Sequence, residues 1–298
     1  MAALHPSKEV KDFRFRRLEK PEEFRAVAEI QREALGLEQE PPVPVPLQRA
    51  IQDNGGLVLG AFADIHLAGF ALGFLAWDGK QLYHYSHMTA VRPEYQNHHV
   101  GFRLKAFQRD EVLSAGLPVV RWTFDPLRSR NAYLNVRRLG GVPDRYLVHY
   151  YGQLGSAEDR GLETDRIRVT WAVASPKVEQ RLRGELPNAA QDLAVHQSAT
   201  PMVETEAGDT GMRLPTAVAE PTAASATIEI PFDLELIRTH EAKSLRTWRH
   251  ATRDAFRMAF DLGYRVEDFA VIPLEHERRS FYFLRKNPPP ADAPPPAS

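Results

Sequence analysis

The stretch from Tyr83 to Gly116, YHYSHMTAVRPEYQNHHVGFRLKAFQRDEVLSAG, constrains the fold more than any other part of the chain. Tyr83 to Val91 is dense in aromatic and β-branched residues, which predicts a strand. Arg92 to Val100 is polar and without period, which predicts a turn. From Gly101 to Leu113 the residues Phe102, Leu104, Phe107 and Leu113 form an incomplete apolar stripe at helical spacing. Amides of a first helical turn have no intrahelical acceptor and can hold an anion. A strand, a polar loop and a helix opening on Gly101 therefore outline a phosphate cradle, although an ordinary strand-to-helix connection has the same outline.

The 298 residues suffice for one large domain or two ordinary ones. The formal net charge is -1, with acidic and basic residues mixed throughout. No basic tract suits a nucleic-acid backbone, so no nucleic-acid partner is expected. The chain has no cysteine, which excludes disulfides, thiolate metal sites and a cysteine nucleophile. The eleven histidines lack HExxH-type spacing, and no metal site is expected. The start, MAALHPSKEVKDF, is not a secretory signal, and no run is apolar enough to span a bilayer. A soluble cytoplasmic protein without a membrane partner is the resulting expectation.

Taken in order, Asp12 to Leu18 alternates as a first strand, and Pro21 opens a helix reaching Ala34, with Glu22 and Glu23 suited to its positive end. Glu38 to Pro46 is a proline-rich loop, and Leu47 to Asp53 a short helix stopped by Asn54-Gly55-Gly56. Gly56 to Ala63 and Leu67 to Trp77 form a hairpin, with a tight turn at Asp78-Gly79 before the next strand. Pro118 to Phe124 reads as a strand, Arg130 to Leu139 as a short helix, and Arg145 to Tyr151 as a returning strand. Gly152 to Arg160 reads as a linker, Asp165 to Val173 as a strand, and Pro176 to Leu186 as a helix. Short strands are expected at Leu193 to His196, Met212 to Val218 and Thr227 to Pro231. One long helix is expected from His240 to Leu262, ended by Gly263. Tyr264 to Ile272 and Ser280 to Arg285 read as paired strands, and the Pro/Ala-rich end from Asn287 to Ser298 as disorder.

The run Gln96-Asn97-His98-His99-Val100-Gly101, with Val91 and Pro93 upstream, resembles the acyl-CoA motif of the GCN5-related N-acetyltransferase (GNAT) superfamily. That motif is Arg or Gln, two residues, Gly, one residue, then Gly or Ala. His99 departs from it by standing in a glycine position. Thr123 to Gly141, TFDPLRSRNAYLNVRRLGG, resembles the strand, asparagine, short helix and Leu-Gly pair of many members. More narrowly, SHM, TFDPL, NAYLN and RRLGG resemble a bacterial subgroup of predicted acetyltransferases. The resemblance runs from about Phe13 to Gly152. It implies an α/β (α+β) acyl-CoA N-acyltransferase fold, a mixed sheet flanked by helices, with a second α/β unit in the C-terminal half. The expected domains are residues 1–155, a second domain at 156–286 that shapes the cleft, and a tail at 287–298.

The resemblance also implies site residues. The segment Met88, Thr89, Ala90 and Val91 would meet the pantetheine arm. The loop and first helical turn, His98, His99, Val100, Gly101, Phe102 and Arg103, would cradle the pyrophosphate, with side-chain help from Gln96 and Arg103. Asn131 is similar to the asparagine that touches the CoA arm in relatives. For removal of the amine proton, Tyr85, His87 and Thr89 share a strand face by simple alternation. His87 has a suitable intrinsic basicity, and Asp125 at a strand end could orient the amine. Each has a plainer reading, a packed histidine and a turn-capping aspartate. Arg246, Arg249 and Arg253 lie at i, i+3 and i+7 and could receive a carboxylate, or could be a solvated face.

These features imply a CoA-dependent N-acyltransferase using acetyl-CoA or succinyl-CoA on a small-molecule amine, amino acids included. Homodimers are common in resembling families. The subgroup includes proteins proposed to succinylate amino acids. The rival reading is a non-catalytic acyl-CoA-binding or protein-interaction module.

Overall fold

The computed structural model describes residues 12–36, 41–152, 162–208, 211–274 and 276–286. The expected linker beyond its first residue, Gly152, and the tail from Asn287 onward lie outside the described residues. The chain forms two compact units, one through Ala115 and one from Gly116.

The first unit holds β1 (Phe13–Arg17), α1 (Pro21–Leu35), α2 (Val45–Asp53), β2 (Leu57–Ala63), β3 (His66–Trp77), β4 (Leu82–Val91) and α3 (Val100–Ser114). Its strands form antiparallel neighbours in the order β1-β2-β3-β4. The start of α1 follows from its acidic first turn. Glu23 accepts from the Glu19 and Lys20 amides at 2.8 and 3.2 Å. Arg16 closes on the same carboxylate at 2.6 Å, and Gly36 ends the helix in the left-handed region at φ 61°. The apolar faces of α1 and the sheet meet in a core that includes Phe24, Val27, Ile30, Phe70 and Leu72. Phe70 and Leu72 face α1, so Gly73 and Leu75 face the other side, where their β4 neighbours Ser86 and His84 meet α3. The sheet is thus covered by helices on both faces.

The second unit opens with β5 (Val119–Phe124), α4 (Ser129–Ala132), which continues as a π-helical stretch (Tyr133–Arg138), β6 (Val142–Leu147) and β7 (Arg166–Ala172). β6 starts earlier than expected and stops before Tyr150 and Tyr151, which lie in the following turn. β7, expected to open a second domain, pairs antiparallel with both β5 and β6. A boundary at 155/156 therefore cuts through this sheet. Trp122 and Trp171 pack edge to face beneath it at 5.7 Å.

The remainder comprises α5 (Pro176–Leu182), α6 (Ala189–Ser198), β8 (Thr200–Pro201), β9 (Val203–Ala207), β10 (Arg213–Val218), β11 (Ser225–Ile230), α7 (Leu234–His240), α8 (Ser244–Asp261), β12 (Tyr264–Leu274) and β13 (Glu277–Lys286). A mixed sheet runs β12-β13-β11-β8, with β8 parallel to β11, and β9 pairs with β10 as a ribbon. Three expectations are corrected. Leu193 to His196 is helical, inside α6, because Asn188 and Gln191 exchange a capping box. The long helix, α8, begins at Ser244 and not at His240, because a separate helix, α7, capped by Asp233, ends at His240 and the chain breaks at Glu241–Lys243. The β12–β13 strands reach further toward their turn than Ile272 and Ser280, for they continue to Leu274 and resume at Glu277. Phe256 of α8 packs on this sheet, meeting Tyr282 of β13 at 5.0 Å, and stacks with Tyr146 of β6 at 5.8 Å.

Candidate active site

β4 is not a regular strand. Met88 pairs with Leu72 and Ser86 with Gly73, so His87 is the extra residue of a bulge. The expected shared face of Tyr85, His87 and Thr89 is therefore broken. Tyr85 pairs with Phe74 and Thr89 with Ala71, three positions apart on β3, so they point to opposite sides. The His87 ring lies 6.0 Å from Phe74 and 6.3 Å from Tyr85, on the α1 side. It is partly buried, and burial lowers its basicity, which favours the neutral imidazole. Beyond the bulge Met88 and Ala90 turn into the α1 core and Thr89 is exposed.

After β4 the chain makes a 3-10 turn (Pro93–Tyr95) and then takes left-handed backbone twice, at Asn97 (φ 64°) and at His99 (φ 58°, ψ 17°). Asparagine accepts this region readily; histidine does so at some cost. His99 is the N-cap of α3 and its side chain makes no cap bond, which leaves the cap to backbone geometry. Left-handed His99 followed by helical Val100 turns successive amides to one side, the form of an anion nest. Gly101 follows in ordinary helical backbone. A Cβ built there would touch only Val91 Cγ2, at 3.9 Å. The protein itself has no need of glycine at this position, so the open space fits close approach by a bound group.

The side chains expected to assist the cradle are otherwise engaged. Gln96 Nε2 donates to Val91 O at 3.1 Å, tying the loop to the end of β4. Arg103 donates to Phe13 O at 3.2 Å and lies 4.6 Å above the Phe15 ring. His98 packs beside Phe13 at 6.4 Å, and Val100 is buried.

Beneath the cradle lies a polar cluster that the sequence reading missed. Lys105 Nζ of α3 donates to Ser86 Oγ at 2.8 Å and to Gln108 Oε1 at 2.9 Å. The Gln108 amide lies 3.2 Å from His84 Nε2. All four residues are buried. Burial lowers Lys105 to about 7. Burial, then the nearby Lys105, lowers His84 to about 3. The available signal was the broken apolar stripe of α3, where Lys105 and Gln108 sit one turn apart.

Asp125 and Asn131 belong to the second unit. Asn131 is exposed on α4. Asp125 is buried, and its two oxygens accept from Arg249 Nη1 and Nη2 at 2.8 Å each, while Leu127 N donates to Oδ1 at 3.0 Å. A carboxylate so engaged caps its turn and anchors α8; it is not open to a substrate amine. The arginine stripe of α8 is likewise accounted for. Arg249 is wholly buried on Asp125, Arg253 binds Asp165 at 2.8 and 2.9 Å, and only Arg246 is exposed. Neither a carboxylate pocket nor a solvated face describes Arg249. Among the described residues no group of His, Asp or Glu is placed to hold a metal ion.

Residues 22–135 match the model of the acetyltransferase (GNAT) family. No curated protein matches the chain. Among solved structures, the chain is similar to the ribosomal-protein-S18-alanine N-acetyltransferase from Escherichia coli. Identity there is 17%, coverage 54% of this chain and 94% of that one, and the TM-score 0.45. It is also similar to yncA from Salmonella typhimurium with its cofactor acetyl-CoA, at 17% identity, 55% and 97% coverage and a TM-score of 0.44. An acetyltransferase of the GNAT family from Streptococcus pneumoniae matches at 14% identity, 53% and 98% coverage and a TM-score of 0.42.

Proposed function

We propose that the chain is an N-acetyltransferase that binds acetyl-CoA along Met88–Val91 and the loop into α3 and acylates a small-molecule amine, a reading supported by the match of residues 22–135 to the acetyltransferase (GNAT) family model. The observation that carries the reading is the cradle: left-handed backbone at Asn97 and His99, then open space over Gly101. The amides from His98 to Arg103 hold the pyrophosphate, and Gln96 acts indirectly by fixing the loop to Val91. Asn131 stands as a further contact to the arm on resemblance alone.

The bound thioester supplies an activated acyl group. Toward it the chain places an amine and accepts its proton, with nitrogen forming a bond to the carbonyl carbon as the carbon–sulfur bond breaks and the thiolate leaves. Holding the two reactants together supplies much of the acceleration. His87 is the residue we assign to the proton, because it is neutral and sits at the bulge where β4 changes face. Acetyl-CoA is the donor we favour. Selection of succinyl-CoA by the α8 stripe would need free guanidiniums, and Arg249 and Arg253 are both paired. Amino acids remain within the proposed acceptor class. No helix among the described residues is long and apolar enough to cross a membrane.

One experiment tests the reading. Acetyl transfer from acetyl-CoA to a panel of amino acids and polyamines is followed by mass spectrometry, and CoA binding by calorimetry, for wild type, Gly101→Val and His87→Gln. The valine meets no protein atom closer than ordinary contact, so the fold should persist while CoA affinity falls by about tenfold or more as the pyrophosphate loses its approach. His87→Gln should bind CoA normally and lose turnover mainly near neutral pH, recovering where the amine is already deprotonated. Unchanged CoA affinity in a folded Gly101→Val protein sinks the cradle, and equal turnover at all pH values clears His87.

A further inference from the structure

At the level of the His87 bulge the two faces of the β3–β4 hairpin are finished differently. On the α3 side Gly73, His84 and Ser86 are buried, and the polar bonds of Lys105 and Gln108 close over them. On the α1 side β3 contributes Phe70, Leu72 and then Phe74, since the extra residue is in β4 and β3 keeps its alternation. Phe70 and Leu72 belong to the α1 core, and Met88 and Ala90 of β4 pack against it. Phe74 is not one of that core's residues. It is only partly buried, as are Tyr85 and His87. The apolar cover supplied by α1 therefore ends at Leu72 and Met88, and three rings continue the same face beyond it.

The rings stand together. Phe74 and Tyr85 are cross-strand neighbours with centroids 5.4 Å apart and planes tilted by 40°. His87 completes a triangle at 6.0 Å from Phe74 and 6.3 Å from Tyr85. Each spacing is that of a favourable aromatic contact. Packing on one another still leaves part of each ring accessible, and a partly open apolar surface suits a bound group. The bulge arranges this. It turns Met88 into the core without taking His87 from Tyr85's side, so the imidazole to which the amine proton is assigned stands at the edge of the ring cluster. Charge lies elsewhere: Glu29 and Glu33 of α1 pair with Arg92, which follows the far end of β4.

We propose that Phe74 and Tyr85 form the floor of the acceptor pocket, and that the preferred acceptor is a primary amine carrying an aromatic group on a short carbon tether. This rests on the acetyltransferase reading and on His87 as its base. A nitrogen within hydrogen-bond reach of His87 places a ring on such a tether over Phe74, where a further aromatic contact forms. The step itself is unchanged: the nitrogen bonds to the thioester carbon, its proton passes to His87 and the thiolate leaves. A short unbranched amine covers less of the floor and gains less from burial. A polyamine brings additional charges, and the three side chains of the cluster offer them no carboxylate. Phe74 touches the acceptor's substituent and takes no part in proton transfer.

The test uses the full chain as wild type, Phe74→Ala and Phe74→Leu, with phenethylamine, propylamine and spermidine as probes. Specificity constants for acetyl transfer are the first readout. In wild type phenethylamine should exceed propylamine by about tenfold to a hundredfold, with spermidine below both. Phe74→Ala should cut the ratio of phenethylamine to propylamine by about tenfold, mainly through KM. Phe74→Leu keeps apolar bulk without the ring face and should cut it by about threefold. The second readout needs no turnover. Saturation-transfer NMR of phenethylamine, with unacylated CoA present, should show binding to wild type and a clear loss in Phe74→Ala. Should Phe74→Ala fail to fold, Phe74→Leu carries the same comparison. An unchanged ratio in a folded variant overturns the proposal, as does spermidine proving the best acceptor. Equal losses on every amine also overturn it, because the rings would then hold the ammonium or the fold and not the substituent. A wild type that binds no CoA overturns the acetyltransferase reading instead, while the NMR data still decide the ring floor.

Discussion

In the second unit Arg249 meets Asp125 through two 2.8 Å bonds, and Arg253 meets Asp165 through bonds of 2.8 and 2.9 Å. In the first unit Lys105, equally buried, donates to a serine hydroxyl and a glutamine carbonyl. The two arrangements solve the burial of a cation differently. Burial alone would raise the Asp125 carboxyl, yet the Arg249 guanidinium holds it below the usual range. Burial would likewise weaken Arg249, and Asp125 raises it instead. Both groups of that pair stay charged, and their geometry is spent on joining β5 to α8. In the first unit burial is the dominant cause and lowers the Lys105 amine to about 7. Matched charge keeps both partners of the brace ionised; burial without it lowers the basicity of the cation.

The comparison breaks most visibly by removing one partner. Asp125→Ala leaves Arg249 buried without a counter-ion and should cost about 3 to 5 kcal/mol in urea unfolding. Asp125→Leu with Arg249→Met should recover most of that loss, since a well-packed apolar pair can replace a buried ion pair. If Asp125→Ala costs less than about 1 kcal/mol, the pair is no brace and the contrast between the units fails.

The next effect is one of pH. Lys105 has a folded value near 7, below its ordinary 10.5, so between those values the unfolded chain binds the extra proton. Stability should therefore rise with pH above neutrality, on the order of 2 kcal/mol between about pH 7 and 9 from this group. His84, lowered to about 3 from 6.5, gives the same sign at lower pH: stability is lost as acid protonates the unfolded chain first. Urea unfolding of wild type and Lys105→Met at about pH 7 and 9 isolates the lysine. The wild-type curve should climb and the variant remain flat. A parallel rise in both would assign the slope to other groups.

How much of this was readable depended on range. The period change from strand to helix around residues 91–100 located the β4–α3 loop, the Gln96–Gly101 spacing suggested the proposed cradle there, and His99 was legible as a departure whose backbone then proved left-handed. The Asn188–Gln191 box of α6 is equally local, yet its helix has no clear apolar stripe to mark it. The α7–α8 break has no glycine or proline, so helical spacing runs through it. The bulge is invisible to alternation, because the His-Tyr-Ser-His-Met-Thr-Ala string reads as a regular strand with or without it. The arginine stripe of α8 is legible in position and not in role. Its acidic partners lie 124 and 88 residues away, and no local pattern announces them.

The smallest effect asks whether the first unit carries other costs for its site, as the comparison implies. His99 holds left-handed backbone with a φ of 58°. A non-glycine residue there is strained by roughly 1 to 2 kcal/mol, while glycine gives back about 0.5 to 1 kcal/mol in chain entropy. His99→Gly should therefore stabilise the protein by about 0.5 to 1 kcal/mol, and the control Asn97→Gly by less, because asparagine already tolerates the region. Urea midpoints measure both. Calorimetry with CoA then separates two sources of the histidine's value. A cradle made of amides predicts affinity within about threefold of wild type. A larger fall, in a protein that has become more stable, would show that the imidazole itself meets the bound phosphate and that the backbone strain at His99 is offset there. No gain in stability at all would place His99 with the second unit's braces, as a residue whose local cost is already met by its neighbours.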